Sequence, residues 1–272
     1  MKVLLLDERY PRALLAGFEV ATAPQEDVVA VLTLPTAPVG RELCAQLPLL
    51  RVVGTASVGF DHVDVPEGVR VVSVPDYCTE EVADHTLALI YALLRGVVAF
   101  QSLPWDAKAA GPLRVLRGLR VGIVGLGRIG SAAAERVHAL GARVLAHDIR
   151  PIDGGVTLYD LLAEADVVTL HVPLDRSTRG LIGPDELAAM KPGALLVNTS
   201  RGPVVELDAV LGALRSGHLG GAALDVLPVE PPPARPVAPN LIVTPHAAYY
   251  SPESEERAYR LCVARVREAL GA

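Results

Sequence analysis

Apolar positions along this chain follow two alternating periods. Short aliphatic runs predict strands at 2–7, 18–22, 28–34, 50–56 and 69–74, with helical spacing between them clear only around Gly40–Leu47. A long helix is predicted next, from Glu80 to about Val98. Val82, Thr86, Ile90, Leu93 and Val97 form one apolar stripe on it; Leu87, Tyr91, Leu94 and Val98 form a second. A helix apolar on two faces must bury both, which predicts packing against its own lobe and against a second copy, a homodimer. From Leu119 onward, strands at 120–124, 143–147, 166–171, 194–199, 221–225 and 241–244 alternate with helical runs. A last amphipathic helix, Pro252 to Leu270, is expected to pack back on the first lobe. Alternation of this kind implies a parallel sheet covered on both faces, with ligands at the carboxyl ends of its strands where the winding reverses.

The strand at 120–124 runs into Gly125, Gly127 and Gly130, and an alanine-rich helix follows. Strand, GxGxxG and helix in that order form a dinucleotide-binding pattern. Gly125 permits the tight turn, Gly127 lets backbone amides approach a pyrophosphate, and Gly130 lets the helix sit close to the sheet. The helix N-terminus adds partial positive charge for the phosphates. Asp148 lies 18 residues beyond Gly130, near the spacing expected of a carboxylate that accepts hydrogen bonds from the adenosine ribose. That carboxylate favours NAD, whereas Arg150 beside it offers a partner for the 2′-phosphate of NADP.

Composition narrows the class. The chain has 272 residues, long enough for two modest cores, and the glycine loop lies mid-chain, so the nucleotide-binding domain is predicted as an insertion. The expected division is 1–98 plus 249–272 for a substrate domain and 99–248 for the NAD-binding domain. No apolar run approaches membrane-spanning length. A net charge of −6 gives no electrostatic case for nucleic acid. Cys44, Cys78 and Cys262 are widely separated, without metal-ligand spacing, which predicts no metal site and a cytoplasmic protein.

Three polar groups each follow a predicted strand of the second lobe: Arg201 after 194–199, Glu230 beyond 221–225 and His246 after 241–244. All three are expected at one sheet edge. There an arginine can bind a carboxylate bidentately, a histidine can exchange a proton with a carbonyl or hydroxyl oxygen, and a glutamate can orient that histidine. This is equipment for hydride transfer to a 2-keto acid.

Several long stretches now carry a family resemblance. GTASVGFDHVD at Gly54–Asp64, PDYCTEEVADH at Pro75–His85, the loop Val121–Gly130, HVPLDRSTRG at His171–Gly180, MKPGALLVNTSRGPVVE at Met190–Glu206, GAALDVLPVEPP at Gly221–Pro232 and Thr244–His246 cover most of the chain. The sequence resembles the D-isomer-specific 2-hydroxyacid dehydrogenases. The resemblance implies two Rossmann-like α/β lobes, with a doubly wound NAD domain inserted in a smaller, shortened flavodoxin-like substrate domain. It implies Arg201, Glu230 and His246 as the catalytic trio, and Val58 and Gly59 as amide donors to the substrate carboxylate. Arg128 and Ile129 would face the pyrophosphate, Asp225 would hold the nicotinamide carboxamide, and His171, Val172, Pro173 and Thr199 would lie beside the cofactor. Tyr77 and Tyr249, with Tyr250, would border the substrate side chain. His62 and His85 fall in matching stretches and are expected to orient loops or line the cleft. The implied partner is a small 2-keto or 2-hydroxy acid. The first lobe, the Val63–Val69 connection and the loops Asp148–Thr157 and Pro231–Pro239 are shorter than the family pattern. TPHAAYYS at 244–251 and the PDYCTEEVAD stretch lean toward the branch of the C-terminal-binding co-repressors, so an NAD(H)-sensing dimer with little turnover stands as the alternative.

Overall fold

The computed structural model describes residues 1–271, and the chain divides into two compact units, Met1–Cys78 with the C-terminal stretch from Tyr250, and Thr79–Tyr249. The first unit carries β1 (Lys2–Leu5), β2 (Glu19–Ala21), β3 (Val28–Thr33), β4 (Val52–Thr55) and β5 (Arg70–Val72), with a short α1 (Arg41–Ala45). All pairings are parallel, in the order β2-β1-β3-β4-β5, the flavodoxin-like winding the sequence predicts. The central strands are apolar on both faces because both are covered.

One cover is α7 (Pro252–Leu270), which begins at a reciprocal cap between Ser251 and Ser254 and ends at Gly271 with φ 74°. Gly54 lets α7 approach β4 closely: a Cβ there would run into Val266, 3.1 Å from Cys262 Sγ and 3.3 Å from Leu32. Tyr10 fills the adjoining space, donating to the Thr33 carbonyl at 2.9 Å while its ring tilts against Tyr259 at 4.8 Å.

The second unit carries α2 (Thr79–Leu94), β6 (Arg120–Val124), α3 (Arg128–Ala139), β7 (Arg143–His147), α4 (Leu158–Glu164) and β8 (Val167–Leu170). It continues with α5 (Pro184–Ala189), β9 (Ala194–Asn198), α6 (Leu207–Arg215), β10 (Leu219–Leu224) and β11 (Leu241–Val243). The six strands are parallel in the order β7-β6-β8-β9-β10-β11. From β6 the chain passes to one side for β7 and returns to the other side for β8, so the winding reverses between β6 and β8. Side chains alternate across the sheet into two cores. Val168, Leu170 and Leu196 pack with α4, α5 and α6, whereas Val167, Leu195 and Val197 pack with α2.

The domain boundary differs from the predicted one. The helix α2, assigned by sequence to the substrate domain, belongs to the second unit. Ala83 packs on Ala132 and Ala133 of α3, and Arg136 of α3 bridges Glu80 at 2.6 Å and Asp84 at 2.7 Å. The helix also stops four residues early, because Gly96 takes φ 60° and turns the chain out of the helix. Leu87, Tyr91 and Leu93, from both predicted stripes, pack half-buried on the core of their own unit, so α2 needs no second copy to cover them. Val97 and Val98, beyond the helix, are exposed.

Gly54→Ala is expected to destabilise the protein by about 1–3 kcal/mol through overpacking. The check is urea unfolding with unchanged m, and an unchanged midpoint would show that α7 is not seated against β4.

Candidate active site

The glycine loop occupies the point where the winding reverses. Gly125 has φ 91°, and a Cβ there would sit 2.7 Å from the His171 carbonyl oxygen at the end of β8. A Cβ at Gly130 would overlap the carbonyl oxygen of Gly125, so only glycine lets α3 start this close to β6. Gly127 faces open space and caps α3 without a side-chain acceptor, which leaves the first-turn amides, including those of Arg128 and Ile129, without a capping side chain.

Asp148, at the end of β7, is tied down more firmly than its spacing suggests. Its Oδ2 accepts from the Leu126 amide at 2.8 Å. Arg150 reaches it through its backbone amide at 2.9 Å, Nε at 3.0 Å and Nη2 at 3.2 Å. The Arg150 guanidinium, with the two amides, holds the carboxyl far below the usual carboxylate range. By sequence the two residues compete over the ribose; in the structure they form a pair that braces the glycine loop.

After β8, His171 bonds Thr169 Oγ1 through Nε2 at 3.1 Å, while its Nδ1 is buried with no hydrogen-bond partner among the described residues. Burial pushes the ring down to about 4, so it is neutral at neutral pH. Val172 is half-buried, and exposed Pro173 accepts from Thr178 Oγ1 at 2.6 Å, which closes the turn. The Thr199 hydroxyl bonds Thr86 Oγ1 of α2 at 3.0 Å and joins helix to sheet.

Arg201, Glu230 and His246 leave the carboxyl ends of β9, β10 and β11. Buried Asn198 folds the first of these turns, accepting from the Ser200 amide and hydroxyl at 3.0 and 2.7 Å and donating to the Arg201 carbonyl at 2.9 Å. The turn lies directly on the next one, since a Cβ at Gly202 would overlap the Leu227–Pro228 backbone. Glu230 accepts from the Leu227 amide at 2.7 Å through Oε1 and meets His246 Nδ1 at 2.6 Å through Oε2. Burial pushes the Glu230 carboxyl up, but the bonds from His246 and Leu227 and the charges of His246 and Arg201 outweigh it, and the carboxyl stays below its ordinary range. It is therefore ionised at neutral pH and can only accept, so Nδ1 of His246 carries the proton. Nε2 is left for other chemistry.

His246 itself sits at φ 52°, which is unusual for a side chain branched only at Cγ and points to a backbone held for a purpose. Asp225 holds it. The Asp225 carbonyl accepts from the His246 amide at 2.7 Å, and its carboxylate accepts from Thr244 Oγ1 at 2.6 Å and from the Ala247 and Ala248 amides at 2.9 and 3.0 Å. His85 Nε2 lies 3.3 Å from Thr244 Oγ1 and 3.6 Å from the carboxylate. The Asp225 side chain has no exposed surface, and its oxygens serve the loop that carries His246. Tyr249 presents its ring edge-on to His246 at 6.1 Å. In the first unit, Val58 and Gly59 are half-buried after β4, and Tyr77 is buried at 6 % exposure.

The family model of the D-isomer specific 2-hydroxyacid dehydrogenase NAD binding domain matches residues 85–248. The chain is 38 % identical over 235 residues to a glycerate dehydrogenase of Methylorubrum extorquens, covering 80 % of this chain and 75 % of that one. It is 38 % identical over 256 residues to a glyoxylate reductase of Thermofilum pendens, covering 85 % and 75 %. The crystal structure of an Aquifex aeolicus D-lactate dehydrogenase complexed with NAD and lactic acid superposes with a TM-score of 0.86 at 28 % identity, covering 100 % of this chain and 96 % of that one. The chain belongs to the D-isomer-specific 2-hydroxyacid dehydrogenases.

As a member of that family it is an NAD-dependent oxidoreductase. The glycine cradle, the uncapped N-terminus of α3 and the unpartnered His171 Nδ1 fit a dinucleotide. These relatives are dehydrogenases and reductases, which favours an enzyme over the NAD(H)-sensing alternative and gives the co-repressor-like branch no support. Sequence reasoning missed Asn198, Gly202 and the His85–Thr244 pair behind His246. An asparagine three residues before Arg201 is a readable turn signal. His85 lies 159 residues from Thr244 in the chain and offers none.

Because His171 titrates near 6.5 when unfolded but near 4 when folded, its stabilising contribution is complete above pH 6.5 and is lost as pH falls toward 4. Melting temperatures measured between pH 7.5 and 4.5 should fall more steeply for the unmodified protein than for His171→Gln. Parallel curves would contradict the buried, neutral ring.

Proposed function

We propose that this dehydrogenase interconverts a small 2-keto acid and its D-2-hydroxy acid, with Arg201, Glu230 and His246 as the catalytic trio. The observation that carries the reading is the 2.6 Å bond from His246 Nδ1 to an ionised Glu230. It fixes the tautomer and reserves Nε2 for substrate.

In reduction, the glycine loop and the N-terminus of α3 would hold NADH, which would supply the hydride for substrate C2. His246 gives the Nε2 proton to the carbonyl oxygen, which becomes the hydroxyl, and Glu230 stabilises the ring in both protonation states. Arg201 pairs with the substrate carboxylate and polarises the neighbouring carbonyl. Val58 and Gly59 donate backbone hydrogen bonds to the same carboxylate, and Tyr77 and Tyr249 limit the size of the substituent at C2. Arg128, Ile129, Val172 and Pro173 border the dinucleotide. The names of the two relatives above, glycerate dehydrogenase and glyoxylate reductase, support a substrate with two or three carbons.

A homodimer in the cytoplasm belongs to this reading. Val97, Val98, Leu103, Val115 and fully exposed Trp105 give the segment after α2 an apolar surface suited to a second copy. The three cysteines are free and buried, in keeping with a reducing compartment.

NADH oxidation should proceed with glyoxylate, pyruvate or hydroxypyruvate. His246→Ala should lower turnover on the order of 10²–10⁴-fold while NADH binding changes little. Near-full activity of the variant would refute the assignment. Sedimentation velocity at micromolar concentration should give a dimer that Trp105→Asp weakens, and a monomeric unmodified protein would refute the dimer.

A further inference from the structure

The loop Ser57–Phe60 contains a hydrogen-bonded chain that nothing above explains. Ser57 Oγ donates to the Gly59 carbonyl at 2.6 Å, Thr55 Oγ1 lies 2.7 Å from Ser57 Oγ, and His62 Nε2 lies 3.0 Å from Thr55 Oγ1. A carbonyl can only accept, and each hydroxyl has one proton. The order is therefore forced: His62 Nε2–H donates to Thr55, Thr55 to Ser57, and Ser57 to Gly59. Thr55 is fully buried and Ser57 is 4 % exposed, so water does not compete for these bonds, and donors arranged in series polarise one another.

The chain acts on the amides of the loop. A trans peptide points its C=O and N–H in opposite directions. The Ser57 carbonyl accepts from the Val74 amide at 2.9 Å, which turns the Val58 N–H away from β5 and the strand-end residues after it. The Gly59 carbonyl is held by Ser57 Oγ, which turns the Phe60 N–H to the side opposite that hydroxyl. The peptide carrying the Gly59 N–H lies between these two pinned planes. The Phe60 carbonyl accepts from the Val63 amide at 2.9 Å. Among the described residues, the amides of Val58, Gly59 and Phe60 donate to no protein acceptor. The Val58 and Phe60 amides are thus each set by the pinned carbonyl of their own peptide, with the Gly59 amide between them, and three adjacent amides without a protein acceptor are suited to binding an anion.

We propose that His62 is a positioning residue for the carboxylate of a small 2-keto acid, acting through Thr55 and Ser57 to hold the Val58–Phe60 amides toward it. The proposal rests on the reading that Val58 and Gly59 bind the substrate carboxylate. His62 touches no substrate; its Nε2–H is the first donor of the chain and satisfies Thr55 Oγ1 while Thr55 donates onward to Ser57.

The experiment uses the full chain with NADH and glyoxylate, and oxalate as a non-reacting dianion. Ser57→Ala and His62→Phe should each raise KM for glyoxylate and Kd for oxalate about tenfold, the effect of losing one buried hydrogen bond. Turnover and NADH binding should stay within about threefold. His62→Gln, which restores an N–H donor, should recover most of the KM. If Ser57→Ala does not fold, the contrast of His62→Phe with His62→Gln decides the matter. Unchanged KM and oxalate affinity in His62→Phe would overturn the relay, as would equal effects of Phe and Gln. If the unmodified protein neither turns over glyoxylate nor binds oxalate in the presence of NADH, the underlying carboxylate reading fails, a different result from a normal wild type with silent variants.

Discussion

The buried carboxylate of Asp225 sets the backbone from which His246 works. A non-glycine residue in the left-handed region costs on the order of 1 kcal/mol, and one buried group accepting a hydroxyl and two amides outweighs that cost. Removing the Asp225 carboxylate would release three ties at once, leaving only the backbone bond from the His246 amide to the Asp225 carbonyl. With the backbone set, the 2.6 Å bond to Glu230 decides which imidazole nitrogen faces outward. The orientation of His246 thus depends on a residue whose side chain has no exposed surface of its own.

The same economy operates at the glycine loop. Asp148 and Arg150 satisfy each other while the carboxylate accepts from the Leu126 amide, so the group that sequence reasoning gives to the ribose also holds the loop. His171, one strand away, stays neutral because burial disfavours its charged form, and it keeps a bond to Thr169. Both residues are positioned by the parallel sheet, which delivers the ends of β6, β7 and β8 to one edge.

Much of this was legible in the sequence for identifiable reasons. Aliphatic runs interrupted by helical spacing gave the strands of both sheets to within a few residues, because strands covered on both sides must be apolar throughout. The glycines were readable because each answers a steric demand that no other residue meets. Arg201, Glu230 and His246 were readable through their position after strands. What sequence could not supply was long-range pairing: Thr199 with Thr86, His85 with Thr244, Asp225 with Ala247 and Ala248. Such bonds depend on which loops the sheet brings together, and no local period encodes them. The helix α2 was placed with the wrong unit for the same reason, since its tie to α3 runs through Ala132, Ala133 and Arg136 far along the chain.

The most direct measurement is the tautomer of His246, read by ¹⁵N NMR of histidine-labelled protein at a pH where the imidazole is neutral. The account predicts a protonated Nδ1 with a strongly downfield proton that disappears in Glu230→Gln, and an unprotonated Nε2. A proton on Nε2 with Nδ1 bare would mean that Glu230 does not orient the ring, and the assignment of His246 as the proton donor to substrate would fall with it.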